Sequence, residues 1–384
     1  MSKIKILAIS PTFYPVMGGA ERTIYELYKR LPKYGYHIDL VTPNLGGREY
    51  EKICDGFEVY RVGRKLKYRL LKFIFYQLWN YLKIKELIKK KKYDLVHIHY
   101  GFPSLFLFYF AKLRLKKLVI ITEHHFGTGM DISSQKENPF FINFILKKVY
   151  KNADKIVTLS KEQKNFVKSL CKRKDIQVIS FGIDTVFFNP SKYDKLIKKT
   201  YNSDVIILTV SRLVKRKNTE EVIKVAEKIV KEYKKIKFLI IGTGKEKKNL
   251  EEIVKKKKLT ENIIFLGFIS DNRLPSYYAT ADIFILPSKY EGFGMVYLES
   301  MASGTPVISY DISAAREIIE NSKNGYLVSN YLEMYSKLMK LIKNKKLLKK
   351  MSLEAVNIVR RKYNLSIMVE KYDKLFSKLV KNER

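Results

Sequence analysis

Residues 287–308 read PSKYEGFGMVYLESMASGTPVI. Gly292 and Gly294 stand immediately before a helix-competent run that begins near Met295. Short apolar runs, Ile283–Leu286 and 307–309, flank this block and have the length and composition of buried strands. Strand, glycine loop, helix and strand in that order make a βαβ unit, and such units build parallel sheets covered by helices on both faces. The glycines free the backbone where the helix starts, and the first amides of a helix are ready donors for an anion. Two carboxylates bracket the block. Glu291 lies in the loop and Glu299 about one turn into the helix, so both can face one ligand and accept hydrogen bonds from its hydroxyls.

The same rhythm extends outward in both directions. Upstream, strands are expected at Val205–Val210, 237–241 and 263–266, with helices over 218–233, 245–257 and 275–279. Asn218 is the expected N-cap of the first of these helices. An earlier series places strands at 4–10, 38–42, Phe57–Val62, Leu95–His99, 118–122, 155–160 and 176–180. Helices are expected over 18–31, 66–92, 105–113, 138–151 and Lys161–Cys171. Asn189-Pro190-Ser191 and the polar residues after it mark a linker over 189–204. The tail from Tyr331 is helical and rich in Lys. The pattern predicts two doubly wound α/β domains, 1–188 and 205–365.

Length and composition agree with this. At ~150 residues per domain, 384 residues make about two to three domains. With 46% hydrophobic residues, 27 Tyr and 22 Phe, the chain can build a core and is not intrinsically disordered. Cys54 and Cys171 are too few and too far apart for a disulfide framework, which points to a reduced cytoplasm. The runs 101–111 and 70–82 fall short of the ~20 residues of a membrane-spanning helix, and the N-terminus reads as a strand rather than a signal peptide. The formal net charge of +37 admits three readings. It could bind nucleic acid, draw the protein to an anionic membrane or acidic substrate, or simply solvate Lys-rich helix faces. The Lys runs lie in helical patterns, with no zinc-finger or RNA-binding signature beside them, which argues against nucleic acid. On the expected helix 66–92, Leu71, Phe75, Leu78 and Leu82 share one face. That face serves either the core or, flanked by Lys and Arg, an anionic lipid surface.

In open parallel sheets, ligands bind beyond the carboxyl ends of the strands, and the remaining motifs all follow strands. Gly18-Gly19-Ala20-Glu21 opens a helix after the first strand but is not the G-x-G-x-x-G dinucleotide fingerprint. His97 and His99 point to one face of their strand, and no further set of ligands for a metal is visible. Thr122-Glu123-His124-His125 follows another strand. Arg212, Lys215, Arg216 and Lys217 put four cations between a strand and a helix, a natural phosphate cradle. Gly242-Thr243-Gly244 follows the next strand and can border the same crevice.

Taken in order, these blocks resemble glycosyltransferase family 4, retaining nucleotide-sugar enzymes with the GT-B fold. The resemblance rests on Gly18-Gly19-x-Glu21, Asp94…His97-x-His99, Thr122-x-His124, Ser180-x-Gly182-Ile183-Asp184, Arg212…Lys217, Gly242-x-Gly244 and Glu291…Glu299, and covers nearly the whole chain. It implies two facing Rossmann-like domains with an interdomain cleft, the last helix (366–384) crossing back to the N-terminal domain. It implies that Arg212 and Lys217 bind the donor diphosphate, and that Gly18 and Gly19 close on it from the other domain. Glu291 would contact donor-sugar hydroxyls, Phe293 and Gly294 would offer backbone N–H groups, and Glu299 would hold the ribose. His124 would lie near the reacting carbon, and Gly267, Phe268 and Ile269 near the base. Where the family often has Gly-Gly-x-Pro-Glu, this chain has Ser313-Ala314-Ala315-Arg316-Glu317.

The expected reaction moves a hexosyl group from a nucleotide diphosphate sugar to a hydroxyl, with retention. The expected acceptor is a sugar or a lipid-linked glycan at the inner face of the cell membrane. No Asp-x-Asp pair occurs, so no metal and no cofactor is expected, with Arg212, Lys217 and the helix amides in the metal's place. Two other readings stand beside it: a GT-B sugar-nucleotide epimerase, and a basic nucleic-acid-binding protein.

Overall fold

The computed structural model describes residues 4–15, 18–63, 69–100, 117–124 and 139–383. The expected helix at 105–113 and His125 lie outside them. The chain divides into two units, Met1–Gly182 together with Leu365–Arg384, and Ile183–Asn364.

The first unit is built on eight strands: β1 (Ile4–Ile9), β2 (Tyr36–Pro43), β3 (Tyr50–Cys54), β4 (Phe57–Val62), β5 (Leu95–His99), β6 (Leu118–Glu123), β7 (Lys155–Thr158) and β8 (Ile176–Val178). Their order is β3-β4-β2-β1-β5-β6-β7-β8. Every pairing is parallel except β3 with β4. Strand periodicity sorts the core onto two faces. Ile6, Ala8, Ile38, Leu40, Leu95 and Ile120 face one layer, and Leu7, Ile9, Val41, Val96, Ile98 and Val119 the other. The C-terminal helix Leu365–Glu383 covers the first layer with Leu365, Met368, Val369, Tyr372, Leu375, Phe376 and Val380, the spacing of one helical stripe.

The helix Arg69–Lys90 turns the opposite way from a core-facing Phe75 and Leu82. Its buried face is Tyr76, Asn80, Ile84 and Leu87. Phe75, Leu78 and Leu82 point outward, 39%, 46% and 52% exposed. No helix among the described residues is long and apolar enough to cross a membrane.

The second unit holds β9 (Val205–Val210), β10 (Ile236–Ile241), β11 (Ile263–Gly267), β12 (Ile283–Leu286), β13 (Val307–Tyr310) and β14 (Gly325–Val328). The order is β11-β10-β9-β12-β13-β14, all parallel. This is the Rossmann order, in which the chain winds outward from β9 and then reverses at β12. The loops after β9 and β12 therefore leave neighbouring strands at the switch point, where an open sheet binds its ligand. The segment 189–204 belongs to this unit: it forms a turn at Pro190–Lys192 and a helix at Lys195–Thr200, started by the Asp194 carboxylate accepting from the Leu196 N–H at 2.9 Å. In place of the family's Gly-Gly-x-Pro-Glu lies a short helix, Ser313–Ile318, with Arg316 paired to Asp311 at 2.6 Å.

Candidate active site

The loop after β9 carries the cations. Ser211 to Val214 run to a tight turn at Lys215–Lys217, and Asn218 ends that turn in the left-handed region at φ 55°. Asn218 is thus not the helix N-cap expected of it; that position falls to Thr219, before the helix Glu220–Glu232. The extra turn swings the Lys217 side chain inward. Its ammonium pairs with Glu291, on the loop after β12, and both residues are buried. Ser288 donates to the same Glu291 oxygen at 2.7 Å. The main chains are stitched as well: Lys289 N–H donates to the Arg216 carbonyl at 2.9 Å, and the Arg216 guanidinium to the Tyr290 carbonyl at 3.3 Å. Burial pushes the Lys217 ammonium below its ordinary range, and the Glu291 carboxylate opposes that push. Arg212 is exposed, and its guanidinium forms no hydrogen bond or ion pair with the described residues. A fixed, buried ion pair therefore sits beside a cation that is free to take an anionic ligand.

The neighbouring loops lock this arrangement in place. Gly242 and Gly244 have φ 133° and 159°, and a Cβ on them would stand 1.8 Å from the Ser211 carbonyl and 2.1 Å from that of Leu213. Only glycine lets the β10 loop press this closely on the Arg212 loop. Leu213 N–H donates to Thr243 at 2.8 Å, and Gly242 N–H to Gly267 at 2.7 Å, which ties in the loop of Gly267, Phe268 and Ile269. Phe268 projects from that loop at 78% exposure, an apolar ring offered to solvent. Gly294, at φ 89°, precedes the helix Met295–Ala302. Phe293 buries its ring against Tyr363, with ring centroids 6.4 Å apart. Glu299 is buried and accepts from the Tyr278 hydroxyl at 2.9 Å.

In the first unit, Gly18 and Gly19 are exposed at the start of the helix Gly19–Arg30. The Glu21 side chain folds back toward Gly18 and accepts from Thr12 at 2.6 Å. His97, His99 and His124 are all buried, and the structure joins them into one chain. The Tyr28 hydroxyl lies 2.7 Å from His97 Nδ1 and 2.7 Å from His99 Nε2. His99 Nδ1 lies 2.8 Å from His124 Nε2, and His97 Nε2 lies 2.8 Å from the Thr122 hydroxyl. Thr122 in turn meets the Tyr372 hydroxyl at 3.1 Å. Tyr28, Tyr372 and Tyr278 were invisible as partners in the sequence, because each is distant in the chain from the residue it meets, whereas Ser288 lies three residues from Glu291.

Among the described residues, one group has metal-ligand geometry: His37, Asp39 and Glu58. The Lys91 ammonium already occupies it, 3.0 Å from Asp39 and 3.2 Å from Glu58, so it reads as a salt-bridge network.

Two Rossmann-like units, the second presenting a cation loop and an acidic glycine loop at its switch point, define the GT-B class of glycosyltransferases. The chain belongs to that class: the Glycosyltransferase Family 4 model matches residues 17–187, and the Glycosyl transferases group 1 model matches residues 194–357. It is 27% identical to N-acetyl-alpha-D-glucosaminyl L-malate synthase of Bacillus anthracis, over 98% of both chains. Among solved structures, sucrose-phosphate synthase of Thermosynechococcus elongatus superposes with a TM-score of 0.86 at 20% identity, covering 98% of this chain and 99% of that one. HepE of Anabaena, solved in complex with UDP-glucose, gives a TM-score of 0.76 at 18% identity, covering 98% of this chain and all of the other. The protein is a sugar-transferring enzyme of the GT-B fold.

Proposed function

We propose that this enzyme transfers a hexosyl group from a nucleotide diphosphate sugar to a hydroxyl acceptor, with retention and without a metal. The observation that carries the proposal is the exposed Arg212 beside the buried Lys217–Glu291 pair at the switch point of the second sheet. Breaking the sugar–phosphate bond builds negative charge on the leaving diphosphate and oxocarbenium character on the sugar. Arg212 grips the diphosphate with a planar, permanently charged fork, and Lys217 holds a second positive charge in place through Glu291. The Phe293 and Gly294 amides add donors at the helix start. Glu291 has a second oxygen to accept a sugar hydroxyl, Glu299 accepts from the ribose, and Phe268 offers its ring to the base. His124 hydrogen-bonds the donor sugar. The departing phosphate then takes the proton of the incoming hydroxyl on the same face, which retains the anomeric configuration.

The UDP-glucose complex of HepE makes that compound the first donor to try. Thermal-shift titration with UDP, GDP and ADP, then with their sugars, tests the reading. One base is expected to raise the midpoint by several degrees and the others by less. No shift with any nucleotide rejects it, and so does nucleic-acid binding that sugar nucleotides do not displace.

The exposed Phe75, Leu78 and Leu82 favour an acceptor presented at an anionic membrane on the cytoplasmic side. Lys85 and Lys89 extend the same helical face as exposed cations. Vesicles containing anionic lipid are expected to pellet the protein at low salt, and to release it as salt approaches about 0.5 M and the Debye length falls below ~5 Å. Serine at 75, 78 and 82 should abolish pelleting. A wild-type protein that stays in the supernatant at low salt removes the membrane from the proposal.

A further inference from the structure

We infer that Tyr278 is a positioning residue for Glu299: its hydroxyl fixes the carboxylate that takes the ribose of the donor, and so makes the site select ribonucleotides over their deoxy counterparts. The inference rests on the proposed contact between Glu299 and the ribose. The Tyr278 hydroxyl donates to Glu299 Oε2 at 2.9 Å, and both residues are buried within the second unit. Tyr278 lies on the helix Leu274–Thr280 and Glu299 on the helix Met295–Ala302. The tyrosine ring packs on Phe188 and Phe284, with ring centroids 5.9 and 5.7 Å away. One turn ties the two helix backbones together. The Thr305 hydroxyl donates to the Tyr278 carbonyl at 2.5 Å, the Thr305 N–H to the Ser300 carbonyl at 3.0 Å, and the Ser300 hydroxyl to the Thr305 carbonyl at 2.8 Å. The hydroxyl and the carboxylate are therefore held on a rigid frame.

The carboxylate is the costly member of this pair. A buried tyrosine hydroxyl needs an acceptor, and a main-chain carbonyl would serve it. Burying a carboxylate costs more than burying a neutral acceptor, so its presence calls for a use beyond the tyrosine. A carboxylate accepts at about four lone-pair sites, and the tyrosine takes one of them. A glutamate side chain turns about several bonds. Pinning Oε2 to a hydroxyl whose ring is packed on two others fixes where the carboxylate points before a ligand arrives. Hydroxyls on adjacent ribose carbons then meet an acceptor already in place, and less side-chain freedom is lost on binding. A nucleotide that lacks those hydroxyls leaves the buried carboxylate without the ligand's donors, the circumstance in which a polar site rejects an analogue most strongly. Tyrosine differs from phenylalanine at this position by the hydroxyl alone, which makes the contribution separable from packing.

Calorimetric titration of the full-length protein tests this, with UDP, GDP or ADP as the thermal shifts select, and with the 2′,3′-dideoxy form of the same diphosphate. Wild type is expected to bind the ribonucleotide about tenfold tighter or more. Tyr278→Phe keeps the ring and removes the hydroxyl. The ratio of the two Kd values should then fall to within about threefold, the change lying in the Kd of the ribonucleotide. In turnover, KM for the sugar nucleotide should rise about tenfold with kcat unchanged, because the ribose lies away from the breaking bond and binds alike in ground and transition states. Glu299→Ala should give the same low ratio, and the double variant no further loss, as for two residues that act through one contact. Partial unfolding of the Phe variant raises both Kd values by the same factor, so their ratio still reports on the hydroxyl. A wild-type ratio kept in Tyr278→Phe overturns the inference. If Glu299→Ala loses the ratio in the same experiment, the ribose contact stands without the tyrosine. A wild type that binds both forms equally overturns the inference and the ribose contact together, while nucleotide binding stands. If no nucleoside diphosphate binds, the proposed function falls, and the inference with it.

Discussion

Arg212→Ala is expected to cut kcat/KM by about 10²- to 10³-fold, the loss typical of removing one preorganised donor from a developing anion. Its melting temperature should stay within the noise, because an exposed side chain without partners among the described residues contributes little to folding. Lys217→Ala makes the contrast. There the Glu291 carboxylate is left buried without its cation, and breaking a buried pair in this way costs about 3–5 kcal/mol. A dead Lys217 variant would therefore report on folding as much as on chemistry, whereas a dead Arg212 variant reports on chemistry alone. Arg212→Lys should recover part of the rate, since it restores the charge but not the two-pronged geometry. Steady-state kinetics with the donor found by thermal shift, run beside calorimetry on the same samples, make the comparison. If Arg212→Ala keeps its activity to within about threefold, the cation loop is not the diphosphate site and the electrostatic account of the rate fails.

What could be read from the sequence follows what is local in the chain. β1, β9 and β12 are short, mostly apolar runs, and their composition alone marks them. The cations after β9 and the glycines after β12 are contiguous blocks, so they too were legible, and the sheet order explains why they meet: β9 and β12 are neighbours at the reversal point. β3 and β14 were missed. Tyr50–Cys54 is an antiparallel edge strand with alternating charge, and Gly325–Val328 is four residues opened by a glycine, so neither has a run long enough to register. The rotation of the helix Arg69–Lys90 was ambiguous because apolar residues occur on two of its faces, and only packing shows that Ile84 and Leu87 take the core. The hydrogen-bonded chain through His97, His99 and His124 was beyond reach for a different reason. Thr122 and Tyr372 stand 250 residues apart, and no pattern in the sequence links a strand end to a terminal helix.

Lowering the pH from 7 to 5 should cost the folded protein roughly 2 kcal/mol through His97, with His99 adding to the loss in the same direction. The sign follows from proton counting. In the unfolded chain these rings titrate near 6.5, whereas in the native state His97 titrates at about 3 and His99 well below its ordinary value. Between those limits the unfolded chain binds protons that the native state refuses, so stability rises with pH and is lost as pH falls. The cause lies in the surroundings. His97 is packed against Phe376 and Tyr372 from the C-terminal helix, Tyr28 lies edge-on to both rings, and each added proton would face a neighbouring neutral imidazole in a dry layer. Among the described residues, the ring nitrogens of His97 meet the hydroxyls of Tyr28 and Thr122, neutral groups that do not compensate a charge there. Domains of this kind are stable by only about 5–15 kcal/mol, so the loss is large enough to shift a denaturation midpoint clearly. Urea unfolding at half-unit pH steps measures it, with His97→Gln as the control that keeps a polar group in the chain but removes one titration. The variant should lose roughly 2 kcal/mol less than wild type between pH 7 and pH 5. Identical slopes for the two proteins would mean that His97 is already protonated, or reaches water, in the native state.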